Sequence, residues 1–446
     1  MKKSLLSVLL CLVLASLHAE VVPLDSCLSW ARSNNAALQA SRWEVEASQE
    51  LQRQVFTKFF PQVDATALGF MAVRPMVSVD VQTLPQTELG RNLVQLLYDF
   101  ARELDPNTQV SQRIDLMQQG FSVGGKLVQP LYAGGRIVTG HKLTQLGVRA
   151  AEEKSAMTER DLLQEVEETY WMVAGLQEKR ATLQAVMNLL DTVSHVAETA
   201  YGAGLVSNND LLRVKLKRNE METKQLQLEN GIRLATKFLC LQVGRPYEGE
   251  WEFEPFDTTL VMVAPVDTFA IESRPEYELL SLNVQAEQLQ KRLTMGEALP
   301  LVALTAFGGY SDFYGSGNAN LVGLLTLQIP LTQWWEMSHK LKIHDIRIRQ
   351  AESMQDDLRR KMLLQNEQVY MQLTEAVQLM RERESSLEMA TENYRLSLLN
   401  YEAGMATMSE LLESYALLLS AHDNCTDSRI AYRSSLRRFN DLNRQP

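Results

Sequence analysis

Apolar residues recur at helical spacing along two long stretches of the chain, residues 136–201 and 338–401. Both stretches are poor in glycine and proline, so little in them can stop a helix. We therefore predict two very long helices, each on the order of 100 Å at the standard rise of an α-helix. Apolar positions seven residues apart predict a coiled-coil seam on each helix. The seam positions are Leu162, Val166, Val173, Leu176, Leu183, Met187 and Leu190 in the first and Leu373, Met380, Leu387, Tyr394 and Tyr401 in the second.

Shorter elements surround these helices in the same order twice. Helical spacing predicts helices at residues 24–58 and 274–295, and two more follow the long helices, ending near residues 241 and 441. Asn209 and Asp210 are predicted to cap the helix that follows the first long one. Apolar and polar residues alternate in four segments, which predicts strands at about 62–71, 120–131, 301–310 and 320–331. In the second strand, Phe121, Val123, Gly125 and Leu127 share one face and Ser122, Gly124 and Lys126 share the other.

The chain also repeats one sequence at an offset of 200 residues. Tyr201-Gly-Ala-Gly-Leu-Val-Ser-Asn-Asn-Asp210 is echoed by Tyr401-Glu-Ala-Gly-Met-Ala-Thr-Met-Ser-Glu410. The order of elements and this echo predict two copies of one unit, helix-strand-strand-helix-helix, at residues 20–243 and 271–446. A proline-rich acidic linker, residues 244–270, separates the copies. The first copy carries an insertion at residues 73–119, with the spacing of a short helix at residues 89–104.

The amino terminus has the pattern of a secretory signal peptide at residues 1–19: two lysines, an apolar run and a small residue at the end. Its removal leaves Cys27, Cys240 and Cys425, which form no disulfide framework. Leu24-Asp-Ser-Cys27 loosely resembles a lipoprotein cleavage site; the alternative is a small apolar residue on the first helix. The net charge of −11 disfavours nucleic acid as a partner.

Four strands of about ten residues have the length of a tilted bilayer crossing. Four strands cannot close a barrel, and an open sheet edge in lipid leaves backbone groups unpaired at a cost of several kcal/mol each. The chain must therefore oligomerise if these strands enter a membrane. Phe59-Phe60, Tyr132 and Trp334-Trp335 stand at the strand–helix junctions, where they form either an aromatic girdle or ordinary core packing.

Taken together, the motifs resemble those of the TolC-like outer membrane efflux proteins. The resemblance covers nearly the whole chain after the signal peptide. It rests on the openings Asn35-Ala-Ala-Leu38 and Arg274-Pro-Glu-Tyr277, the strand entries Phe60-Pro61 and Leu299-Pro300, the exits Gln129-Pro130-Leu131 and Ile329-Pro330-Leu331, and the two Tyr-x-x-Gly turns. It implies a homotrimer whose strands close one twelve-stranded barrel in the outer membrane, above a coiled-coil helical tunnel in the periplasm. It also implies partners, namely a periplasmic adaptor (membrane fusion protein) and an inner-membrane pump.

The resemblance assigns roles to the two turns and to the helix after the second. The turns, at Gly204-Leu205-Val206-Ser207 and Gly404-Met405-Ala406-Thr407, match the tips that meet the adaptor, although they can also be plain helix stops. Glu410 and Glu413 match the acidic rings that narrow the periplasmic end. There three copies would raise the pKa of these carboxylates and attract cations; the alternative is a solvated acidic face. Tyr401 and Asp210 match a hydrogen bond of the closed gate. An arginine of the family gate is replaced by Ala406.

The sequence contains no nucleophile, metal-ligand or phosphate-binding pattern, so we predict no enzyme, no metal and no cofactor. The predicted function is the outer membrane channel of a tripartite efflux pump. The alternatives are a type I protein secretion channel and, from a different class, a soluble periplasmic coiled-coil scaffold. Because the pump mainly selects the substrate, the sequence does not name the cargo.

Overall fold

The computed structural model describes residues 21–74, 77–80, 92, 95–96, 99, 113–116, 119–202, 207–256, 271–312 and 317–443. The predicted signal peptide and most of the insertion lie outside these residues. The chain divides into two compact units. Unit 1 comprises Met1–Ala47, Arg149–Leu282 and Glu352–Pro446; unit 2 comprises Ser48–Val148 and Asn283–Ala351. Each unit draws on both predicted repeats, and the repeat boundaries stay a prediction.

The described chain is mainly helical. The predicted long helices are observed at 67 and 70 residues, and the predicted medium helices follow each of them. The helices are α1 (Leu24–Asn34), α2 (Ala36–Phe56), α3 (Arg136–Gly202), α4 (Asn208–Gln242), α5 (Pro275–Glu297), α6 (Gln333–Glu402) and α7 (Met408–Asn443).

The prediction of one helix over residues 24–58 was wrong, because the chain breaks at Asn35. Asn35 adopts an extended backbone with ψ 126°. Its Oδ1 accepts hydrogen bonds from the backbone N–H groups of Ala37 at 2.9 Å and Leu38 at 3.1 Å. An asparagine side chain that binds these N–H groups caps the helix that follows. The break therefore comes from a local side-chain contact that apolar spacing does not reveal.

The four predicted strands form one antiparallel sheet in unit 2, in the order β2 (Gln62–Met71), β5 (Gln119–Ala133), β7 (Leu301–Asp312) and β8 (Asn318–Gln328). Among the described residues, β2 pairs only with β5, and β8 pairs only with β7, so each has one unpaired edge. The register shifts between Pro130 and Tyr132, because proline has no N–H to donate to the ladder. The strands are β1 (Val21–Val22), β2 (Gln62–Met71), β3 (Val77–Asp80), β4 (Arg113–Leu116), β5 (Gln119–Ala133), β6 (Glu252–Phe253), β7 (Leu301–Asp312) and β8 (Asn318–Gln328).

Two small sheets complete the set of described strands. The strands β3 and β4 of the insertion pair antiparallel, and β1 pairs parallel with β6. At the junction between β5 and α3, Gly134 has φ 61° and lies so close to Gly296 that a Cβ on either glycine would collide with the other's carbonyl. Only glycine fits both requirements, a left-handed backbone and a backbone-to-backbone contact.

The core of unit 1 runs along the predicted seams. Leu162, Val166, Val173, Leu183 and Leu190 of α3 are all buried, and so are Leu373 and Met380 of α6. Cys27 has no exposed surface and packs with Tyr170 and Leu239 in the first core cluster. Burial raises the pKa of its thiol to about 12. Its position agrees with the interpretation of Cys27 as a small apolar residue of the first helix.

Candidate functional site

The second tip joins α6 to α7 in unit 1. The helix α6 ends in a Schellman motif, in which Gly404 has φ 71° and its N–H donates to the Tyr401 carbonyl at 3.0 Å. The N–H of Met405 donates to the Asn400 carbonyl at 2.8 Å. These two bonds satisfy carbonyls that would otherwise be left open at a helix end. Met405 lies at the apex and is 75% exposed.

Thr407 and Glu410 form a capping box that starts α7. The Thr407 Oγ1 accepts a hydrogen bond from the backbone N–H of Glu410 at 3.3 Å. In return, the Glu410 Oε2 accepts one from the backbone N–H of Thr407 at 2.7 Å. This reciprocal pair satisfies two N–H groups at the helix start. Only Met405 and Ala406 therefore separate the stop signal of one helix from the start signal of the next.

The first tip has the same start signal. Ser207 is the N-cap of α4, and its Oγ accepts a hydrogen bond from the backbone N–H of Asp210 at 3.3 Å. The Ser207 hydroxyl donates to the Asp210 carboxylate at 2.7 Å. The prediction that Asn209 and Asp210 cap this helix was therefore wrong by position, since Ser207 is the cap. The signal was present in the sequence as Ser/Thr-x-x-Asp/Glu, which both tips carry. The predicted docking residues Gly204, Leu205 and Val206 lie outside the described residues.

A hydrophobic cluster supports both tips from within unit 1. It joins all four helices through Ala197 of α3, Leu211 of α4, Met408 and Leu411 of α7, and Tyr401 of α6. Burial raises the pKa of Tyr401, and the negative charge of Asp210 raises it further. Tyr401 and Asp210 are thus close enough to interact. Among the described residues, however, no hydrogen bond joins them, and the Asp210 carboxylate accepts the Ser207 hydroxyl instead.

The predicted gate carboxylates, Glu410 and Glu413, are both exposed on α7. Glu410 is bound to the backbone of Thr407 in the capping box, so its position is fixed by the helix start. One further contact at this end was missed by sequence reasoning: the Arg213 Nη1 donates to the Ser409 Oγ at 2.9 Å and links α4 to α7. No sequence signal pairs these two residues, because they are 196 positions apart. The gate roles of Glu410, Glu413, Tyr401 and Asp210 stay a prediction.

The sheet of unit 2 has one apolar face and an opposite face where polar side chains are interspersed with apolar ones such as Leu68 and Leu324. The register places Val63 beside Leu127, Leu127 beside Ala306, and Ala306 beside Gly323 on the first face. This face also carries Leu321 and Leu325 of the edge strand β8, which are 82% and 70% exposed. This apolar face is the one that the alternation of residues in β5 predicts. A monomer leaves much of this face in contact with water, which is unfavourable for so large an apolar surface.

The opposite face carries most of the polar side chains of the strands. Asp64 of β2 lies opposite Lys126 of β5 in the register, and Ser122 lies opposite Ser311. The Lys126 Nζ also stands 5.7 Å from the centre of the Phe307 ring, within the range of a cation–π contact. Gly124 and Gly309 face each other across β5 and β7, where a Cβ on Gly124 would lie 2.7 Å from the Gly308 carbonyl oxygen. The two strands therefore pass closely at this point.

The described residues contain no metal-binding group and no membrane-spanning helix. None of their His, Cys, Asp and Glu side chains come together in a group of three that would hold a metal ion. No helix in the described ranges is both long and apolar enough to cross a membrane.

Residues 27–237, just under half of the chain, match the model of the outer membrane efflux protein family. The match covers the helix-strand-strand-helix-helix order of the first predicted copy, and it confirms the family resemblance that the motifs indicated. A comparison with curated proteins gives no match.

Solved structures of outer membrane channels are similar to this chain over nearly its whole length. The outer membrane protein VceC from Vibrio cholerae is 15% identical with a TM-score of 0.73, covering 94% of this chain and 95% of that one. The MtrE channel of Neisseria gonorrhoeae is 14% identical with a TM-score of 0.75, covering 94% and 88%. The CmeC channel of Campylobacter jejuni is 14% identical with a TM-score of 0.72, covering 94% and 85%. At these identities the likeness shows a shared fold and no more.

Proposed function

We propose that the protein is the outer membrane channel subunit of a tripartite efflux pump. One observation carries this proposal: a four-stranded sheet with an apolar face, a polar face and an unpaired strand at each edge. Unpaired edges are incompatible with lipid unless another copy pairs with them. Pairing β2 of one copy with β8 of the next, three times, closes a twelve-stranded barrel. Its apolar face would meet lipid and its polar face would line the pore.

The exposed aromatic residues of unit 2 fit this placement. Phe60, Tyr132, Trp334 and Trp335 are all more than two-fifths exposed, so they are not packed into the core of the single chain. The Trp334 Nε1 donates to the Ala298 carbonyl at 2.9 Å, which fixes one indole at a strand–helix junction. Tryptophan and tyrosine favour the interface between lipid and water. We assign these residues to an aromatic girdle. The insertion, residues 73–119, would lie outside the cell or over the barrel mouth.

The two tips are the proposed contacts with the periplasmic adaptor. The second tip presents an exposed Met405 on a reversal that is held at both ends by hydrogen bonds. A pre-organised backbone loses little conformational entropy on binding, so this reversal is a suitable support for an apolar residue that contacts a partner helix. The first tip carries Leu205 at the corresponding position of the sequence repeat. The inner-membrane pump would act below this junction, with the helices of the protein extending into the periplasm.

The proposed gate combines Glu410 and Glu413 from three copies at the periplasmic end. Six carboxylates around a narrow bore would attract cations and oppose anions. Tyr401 and Asp210 share no hydrogen bond in the described structure, and we propose that they form one to hold neighbouring helices in the closed arrangement. Glutamine at position 410 keeps the oxygen that accepts from Thr407, so it removes the charge and preserves the capping box.

Single-channel recording in a planar bilayer tests this function. We expect the detergent-purified protein to give small, cation-selective openings, and the Glu410→Gln/Glu413→Gln protein to lose the selectivity with its trimer intact. Glu388→Gln, on an exposed part of α6 away from the tip, is the matched control.

Tyr401→Phe keeps the ring in its cluster and removes only the hydroxyl, so a higher conductance would support its role in the gate. Selectivity that survives the double change would refute the gate residues, and a protein that never inserts would favour the scaffold.

A further inference from the structure

A polar cavity of about 340 Å³ lies within unit 1, between α3, the start of α5, α6 and α7. Three arginines line it: Arg160, Arg274 and Arg438. The rest of the lining is rich in side-chain amides, including Gln365 and Gln368. None of these residues belongs to the tips or to the sheet. The channel function proposed above therefore does not rest on any residue of this cavity.

Arg274 is the central group of this cavity. It is 7% exposed, and its Nη2 donates to the Asn366 Oδ1 at 2.5 Å and to the Leu442 carbonyl at 3.5 Å. Its Nε and Nη1 are buried and have no hydrogen-bond partner in the part of the chain that the structure describes. Burial lowers the pKa of the guanidinium, while the Glu276 carboxylate raises it. A buried donor without a partner is unfavourable, and more so when it is charged.

The other charged groups around the cavity already have partners. Arg160 binds Glu276 at 2.6 Å and Asp161 at 2.8 Å. Arg438 binds Glu168 at 2.9 Å, and Asp441 binds Arg437 at 2.9 Å. Among the described residues, Arg274 makes no ion pair within 4.0 Å. The cavity thus presents one uncompensated positive charge, which matches a ligand with a single negative charge.

The carboxylate of Glu276 adds a second feature. Its Oε1 binds Arg160, whereas its Oε2 is buried without a hydrogen-bond partner in the described structure. This free acceptor requires a donor from any ligand that fills the cavity. It also repels a second negative charge close to Arg274. A dianion such as phosphate is therefore disfavoured.

We propose that the cavity binds a small monocarboxylate that also carries a hydrogen-bond donor, such as a short hydroxy acid. The ligand's carboxylate accepts from Nε and Nη1 of Arg274, and its hydroxyl donates to Oε2 of Glu276. The glutamine side chains around the cavity supply further donors and acceptors. Binding thus satisfies three polar atoms that the protein alone leaves without partners.

Isothermal titration calorimetry of the full-length protein in detergent tests this site, with glycolate as the probe and chloride replacing it at constant ionic strength. We expect saturable binding of one glycolate per chain and weaker binding of acetate, which lacks the hydroxyl. Arg274→Gln should weaken glycolate binding roughly tenfold or more, because it removes the charged partner. Arg218→Gln, which changes an arginine of α4 that does not line the cavity, should leave binding unchanged.

Glu276→Gln should change ligand binding in the opposite direction, and this test does not require a stable Arg274 variant. It removes a competing negative charge and releases Arg160, so acetate should bind several-fold more tightly than it binds the unchanged protein. Unchanged or weaker acetate binding in this variant would overturn the proposal. So would the absence of saturable glycolate binding, equal binding of chloride, or tighter binding of phosphate than of glycolate.

Discussion

The second tip and the sheet differ in how completely a single chain satisfies the hydrogen-bonding groups of its own backbone. At the tip, the Asn400 and Tyr401 carbonyls and the Thr407 and Glu410 amides all find partners within the same short segment. At the sheet, the outer edges of β2 and β8 have no strand partner among the described residues. The tip is therefore complete in a single chain, whereas the sheet leaves two strand edges that the proposed trimer would pair. A change at the tip acts locally, whereas a change in the sheet acts on assembly.

The largest effect is expected on the apolar face of the sheet. Leu325→Arg places a charge on the face assigned to lipid, at an estimated cost of roughly 2–4 kcal/mol where the side chain lies near the middle of the bilayer. Thr326→Arg, one residue later, places the same charge on the polar face and should cost far less. Urea titration of the protein folded into lipid vesicles measures both free energies of unfolding. Equal costs for the two variants would contradict the assignment of the faces.

An intermediate effect is expected at the start of α7. Thr407→Ala removes the side chain that caps the helix, which typically costs about 1 kcal/mol. Glu410→Gln keeps an oxygen for the Thr407 amide and should cost less. The tip segment is local, so this loss should appear as faster amide hydrogen exchange in the first turn of α7, with the sheet unaffected. Equal exchange in the Thr407→Ala and unchanged proteins would show that the capping box does not stabilise the tip.

The difference between periodic patterns and single side-chain contacts explains which elements the sequence predicts and which it does not. Long helices and strands follow from periodicity, so α3, α6 and the four strands of the sheet lie close to their predicted bounds. Caps depend on single side-chain contacts, and for that reason the break at Asn35 was missed and the cap at Ser207 was placed at Asn209 and Asp210 instead. The Ser/Thr-x-x-Asp/Glu spacing was a usable signal for the second of these.

The cavity around Arg274 could not be predicted from the sequence. Its lining comes from four helices that are far apart in the chain, and the motif Arg274-Pro-Glu-Tyr277 indicates only a helix start. The Arg274 Nε and Nη1 have no partner because the side chain is buried and because Asn366 binds only Nη2. Neither property has a local signature. The contact between Arg213 and Ser409 escaped prediction for the same reason.

The smallest effect on stability, and a decisive one on function, is expected at the apex of the second tip. The Met405 side chain is exposed and makes none of the hydrogen bonds of the reversal. Only the backbone N–H of Met405 takes part in them, and a substitution of the side chain keeps that N–H. Met405→Glu should therefore change the free energy of unfolding by less than about 0.5 kcal/mol, as is usual for surface substitutions. It should nevertheless abolish efflux in cells that depend on this protein, because a charge replaces the apolar residue proposed to contact the adaptor.

Met389→Glu is the matched control, since Met389 is an exposed methionine on α6, the helix that ends at the tip, about four turns earlier. Export of a fluorescent pump substrate, measured at equal amounts of trimer in the outer membrane, compares the two variants. Loss of export in Met405→Glu alone would place adaptor docking at the apex. Normal export in Met405→Glu would mean that the hydrogen bonds of the second tip serve only to end one helix and begin the next, and that the adaptor binds elsewhere on the protein.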